Sequence, residues 1–133
     1  MRFIPAAMLA LALGMPATAS FASAATITGS WSGRGSVTLI PSGQVEHVSC
    51  RVSYEKGDDR GRTFVLHATC ATTAGTFAQS GRVVKHSSSR YTGSLYSDQY
   101  SVSGKVNISI SGSRQTINVS SSKGRGVLNL SKK

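Results

Sequence analysis

Serines, three histidines, five acidic side chains and two cysteines are the residues of this chain through which acid–base or covalent chemistry could run. Nucleophilic catalysis needs a serine or cysteine beside a base that a third group orients. His47 and His67 fall on the polar side of alternating stretches, and the nearest acid, Glu46, lies on the opposite face from His47. No base has an orienting acid, so these histidines read as solvated surface groups and the chain is not expected to be an enzyme. Paired carboxylates for glycosidic chemistry are equally unsupported, because Asp58 and Asp59 share a turn with Lys56, Arg60 and Arg62, where local charge compensation accounts for them. Cys50, Cys70 and three scattered histidines lack zinc-ligand spacing, so neither metal nor cofactor is expected. What the cysteines can do is bond to each other.

Two strands must position them. If Cys50 and Cys70 face each other across an antiparallel pair, Asp58 falls opposite Arg62 and leaves Asp59, Arg60 and Gly61 as a loop. Such a loop is a type I turn followed by a residue with positive φ, and glycine occupies that place. Turn and cysteines thus agree on one register, which also pairs Val52 with Ala68 and Tyr54 with Leu66 and puts every even position on one apolar face. A Cys50–Cys70 disulfide in that register would stabilise the fold by roughly 3 kcal/mol in the chain-entropy picture.

The compartment suits a disulfide. Met1-Arg2, the apolar run Phe3 to Met15 and the small residues Ala22-Ser23-Ala24 form the three parts of a secretory signal peptide. The apolar run is shorter than the roughly 20 residues of a membrane span. Cleavage after Ala24 assigns residues 1–24 to the leader and 25–133 to one mature domain, periplasmic or secreted, with no transmembrane segment. Without Arg2 the mature chain keeps 14 basic against 5 acidic side chains, a net charge of +9.

The rest of the mature chain reads as short strands of period two. Gly29 to Leu39 turns Trp31, Gly33, Gly35, Val37 and Leu39 inward, and Pro41-Ser42-Gly43 leads into the hairpin strands around Cys50 and Cys70. Thr76 to Lys85, Arg90 to Tyr96, Tyr100 to Ser111, Gln115 to Ser121 and Arg125 to Ser131 complete the set. Eight strands in meander order predict an all-β fold, an antiparallel up-and-down barrel, with a two-sheet β-sandwich as the alternative. Side chains are expected to fill the interior. Inward glycines at 33, 35, 81, 93 and 104 either let strands bend or leave room for a ligand, and bending is the expectation.

Gly29-Ser30-Trp31, a G-x-W at the start of the first strand of a small exported chain, resembles the calycin superfamily of lipocalins, avidins and Inh-type metalloprotease inhibitors. The resemblance implies a barrel whose Trp31 closes one end, with Arg125, or else Lys132, packed across the indole ring as a cation over its face. The Inh-type branch further implies one disulfide between early strands, a basic C-terminus such as Lys132-Lys133, and inhibition of an exported protease through an inserted N-terminal segment. In the expected mature chain only Ala25 to Thr28 precede Gly29, a departure from that pattern.

Charge points to partners rather than to chemistry. Arg34, Arg51, Arg82, Arg90 and Lys105 carry outward parity, and Arg60 and Arg62 stand in the hairpin turn, so all seven are candidate anion contacts. An anionic envelope glycan or lipid is the expected partner. Nucleic acid is not, because Tyr96 is the one strand aromatic with outward parity and no stacking platform exists. The functional expectation is an exported binding protein that meets an anionic envelope component or a small ligand, with protease inhibition as the alternative.

Overall fold

The computed structural model describes residues 26–98 and 102–133. The expected leader, residues 1–24, lies outside them, as do Tyr100 and Ser101 at the expected start of the sixth strand. Eight strands follow one another: β1 Gly29–Leu39, β2 Val45–Lys56, β3 Thr63–Thr72, β4 Gly75–Ser87, β5 Arg90–Ser97, β6 Val102–Ser111, β7 Arg114–Ser120 and β8 Gly124–Lys132. Each pairs antiparallel with its sequence neighbours, and β8 pairs back onto β1, which closes the barrel. Closure leaves no second sheet, so the sandwich alternative is set aside. Among the described residues no helix is long and apolar enough to cross a membrane.

Alternation produces this arrangement because a strand that buries one face of its pleat must turn every second side chain the same way. The even positions of β2 and β3, from Val48 to Tyr54 and from Phe64 to Cys70, are all buried. Cys50 faces Cys70, Val52 faces Ala68 and Tyr54 faces Leu66. The turn between them also forms as expected: Gly61 has φ +71°, and the Arg62 backbone N–H donates to Asp58 Oδ1 at 3.1 Å. β4 runs two residues beyond its expected end, to Ser87, through an irregularity after Lys85 that lets Ser87 pair with Arg90. The break expected at His86 to Ser89 therefore shrinks to a tight turn.

The inward glycines do bend the wall. A Cβ on Gly35 would run into the Val127 carbonyl oxygen, and one on Gly33 into that of Asn129, so only glycine lets β1 coil this closely against β8.

Candidate ligand-binding site

Large inward side chains collect at the pole where the chain enters β1. Trp31 is fully buried, and its Nε1–H donates to the Ile27 carbonyl oxygen at 2.9 Å. Ile27, only 1% exposed, folds over the barrel end, a role its place in the short lead before β1 did not reveal. The ammonium of Lys132 lies 5.2 Å from the Trp31 ring centroid and donates to the carbonyl oxygens of Thr26 and Thr28. Lys132 is thus the cation over the indole. Arg125 is not, because its odd parity on β8 points it outward, opposite Thr38 near the other pole.

Beside this plug, Phe64 and Tyr91 meet edge to face at 5.7 Å. The Tyr54 hydroxyl donates to Gln115 Oε1 at 2.6 Å, while the Gln115 amide nitrogen has no partner among the described residues. Burial, with Tyr91 as a second cause, pushes the Tyr54 phenol far above its ordinary pKa, and burial raises Tyr91 as well. Tyr54 thus stays protonated as the donor to Gln115. Gln115 has the inward parity of Ile117 and Val119, but its polarity hid it in the sequence.

Toward the opposite pole the inward residues shrink, and the barrel encloses a cavity of about 510 Å³. Val52, Leu66, Ala68, Ile117 and Leu128 line its depth, and the Cys50–Cys70 disulfide forms part of its wall. Leu39, Glu46, Thr72, Ala74, Ser121 and Lys123 line it toward the mouth. The expectation of a filled interior is overturned here: parity tells which side chains point inward but not whether small ones suffice to meet across a closed circumference. Gly104, Gly124 and Gly126 also line the space, so glycine in this barrel both bends strands and leaves room. Ser97 contributes the most pointed polar group, since it is 6% exposed and its Oγ has no hydrogen-bond partner among the described residues. Glu46 shares the inward parity of Val48 and Cys50, and Gln79 that of Phe77, so parity could have flagged both as mouth residues.

The remaining residues singled out by sequence fall into three places. Cys50 and Cys70 are bonded, with Cα atoms 4.1 Å apart. Arg34, Arg51, Arg60, Arg62, Arg82, Arg90 and Lys105 are all exposed on the outer wall or its turns, and none of them lines the cavity. Arg60 and Arg62 share the turn with Asp58, whose carboxyl is held below its ordinary pKa chiefly by the Arg62 backbone N–H rather than by an ion pair. His67 pairs with Ser53 as expected, and His86 Nε2 lies 2.6 Å from Thr92 Oγ1. Among the described residues no three His, Cys, Asp or Glu side chains cluster closely enough to hold a metal.

Fold and site together define a container: a closed eight-stranded barrel with one plugged end and one open end. Comparison with solved structures agrees on the barrel. The redesigned β-barrel mFAP1 bound to DFHBI superposes with a TM-score of 0.65 at 14% identity, over 80% of this chain and 94% of that one. A second redesigned barrel, b11L5F_LGL, gives 0.63 at 12% identity over 80% and 91%. A barrel from the de novo design of a fluorescence-activating β-barrel gives 0.62 at 11% identity over 86% and 100%. No protein-family model matches the chain. No curated protein matches it either.

Proposed function

We propose that this is an exported, non-enzymatic binding protein of the cell envelope whose barrel interior holds a small, largely apolar ligand. The cavity carries the reading: at about 510 Å³, open at one end, it is apolar over most of its lining, with Ser97 and Gln79 among a few polar groups and Glu46 and Lys123 toward the mouth, the usual character of a ligand site. That mFAP1, a barrel of the same fold, is seen bound to DFHBI lends support. The test is a neutral environment-sensitive dye such as N-phenylnaphthylamine. Wild-type protein is expected to bind it, and Ala68→Phe, which fills the depth of the cavity, to weaken binding by about tenfold or more while the fold persists. Equal binding by both proteins, or none by the wild type, overturns the proposal.

Contact between the outer wall and an anionic envelope component is a second reading, favoured by the placement of the acids. None of the five stands on the outer faces of β1 or of β4 to β8. Binding to lipopolysaccharide that survives moderate salt supports it, and loss at modest salt means diffuse charge alone. Protease inhibition is less well supported, since the lead Thr26 to Thr28 is held against the barrel by Lys132. Near-stoichiometric inhibition of an exported protease would reverse that order.

A further inference from the structure

The acids are segregated. Glu46 turns inward at the mouth, Glu55, Asp58 and Asp59 gather on the β2–β3 hairpin, and Asp98 follows β5. What the outer faces of β4 to β8 present instead is arginine, lysine, serine, threonine and asparagine, with few apolar groups. The register aligns three of the cations. Arg82 on β4 faces Ser94 on β5, and Ser94 faces Lys105 on β6. Lys105 in turn faces Ser120 on β7, which faces Arg125 on β8. All three cations are exposed, Arg125 also bordering the cavity mouth between Gly124 and Gly126, and cation and hydroxyl alternate strand by strand. Successive cations therefore stand about 9 to 10 Å apart at the backbone, twice the spacing between strands.

We propose that this row is a track for an extended anionic polysaccharide, an inference that rests on the reading that the outer wall meets an anionic envelope component. Curvature selects the partner. From β4 to β8 the row covers half of the steps around the eight-stranded barrel, so Arg82 and Arg125 face away from each other. A flat anionic membrane or a rigid duplex touches a convex wall along one side and cannot reach all three cations together. A flexible chain can wrap them. One sugar unit of an extended polysaccharide is comparable in length to one strand spacing, so acidic groups on alternate sugars would meet cations while Ser94 and Ser120 meet hydroxyls between them. Arg82 and Arg125 offer forked donors that suit a carboxylate or sulfate, and the one exposed ring beside the row, Tyr96 two residues from Ser94, is too little to stack successive bases.

The test uses polygalacturonate fragments of graded length against the mature protein at near-physiological salt. Affinity is expected to climb with length until a fragment spans the row, then level off. The R82S/K105S/R125S triple variant is expected to weaken binding of long fragments by about tenfold or more, as three modest ion pairs imply. The R51S/R60S/R62S triple removes the same charge from the acid-bearing side and should cost less than about threefold. Circular dichroism establishes that both triples keep the fold. Equal loss in the two triples, or phosphatidylglycerol vesicles or duplex DNA binding as tightly as polygalacturonate, overturns the track and leaves attraction by net charge. If none of the three polyanions binds, the anionic-envelope reading falls with it.

Discussion

At one pole of the barrel Trp31 is buried completely, Ile27 lies over it and Lys132 crosses its ring; at the other, Leu39, Thr72 and Ser121 stand around an opening. Both poles are made by the same eight strands with the same alternation. The difference is the size of the inward residue. Tyr54, Phe64, Tyr91 and Ile110 crowd the plugged half, whereas valine, alanine, glycine, serine and threonine predominate around the open half, where Phe77 is the one aromatic among the described residues that line the cavity. A closed wall of fixed circumference fills where its inward side chains are large and stays empty where they are small. Close packing and empty volume are thereby assigned to different ends of one sheet.

Truncating the plug is the strongest way to break this contrast. Trp31→Ala should lower unfolding free energy by about 3 to 5 kcal/mol in urea, whereas Leu39→Ala at the mouth should cost about 1 kcal/mol or less, since its surroundings already lack packing partners. Similar losses at the two sites would dissolve the distinction. Removing the disulfide by Cys50→Ala with Cys70→Ala should cost roughly 3 kcal/mol, and dye binding should persist in the molecules that remain folded. Next comes Lys132→Met, which keeps the volume of the side chain but not its charge. The loss of the cation over Trp31 and of two carbonyl partners predicts about 1 to 2 kcal/mol with no change in dye affinity.

Tyr54→Phe sharpens the contrast through pH. An unfolded tyrosine ionises near 10, the folded Tyr54 far above that, and the folded Tyr91 is raised as well. Their contribution is therefore complete below pH 10 and disappears as pH rises further. Tyr54→Phe should cost about 1 kcal/mol near neutrality by stranding Gln115 Oε1, and it should flatten part of the alkaline decline, Tyr91 retaining the rest. The smallest effect belongs to Asp58. Its lowered pKa means that stability present above the ordinary carboxylate range near 3.8 is lost as pH falls through it, and Asp58→Asn should abolish that acid sensitivity.

Most of the fold is legible in the sequence because period-two alternation ties register to burial: once Cys50 and Cys70 face each other, Gly61 falls at the positive φ of the turn and the apolar faces coincide. The site is less legible. Ser97, Gln79 and Glu46 have inward parity, yet parity cannot measure the empty distance across a barrel. The choice between Arg125 and Lys132 was within reach, since Leu128, Leu130 and Lys132 share a parity that Arg125 does not. Ile27 had no signal at all, because it precedes the first strand and is fixed by a tertiary contact with Trp31.

The seam between β1 and β8 has a kinetic consequence. Trp31 pairs with Lys132, so the first strand waits for the last before its second edge is satisfied. Until then an emerging chain holds two unpaired strand borders that invite pairing with other chains. Contacts so remote in sequence are slow to form. Completion of the ring should therefore be the late step of folding, and variants that lack β8 should associate with one another rather than remain as solitary open sheets.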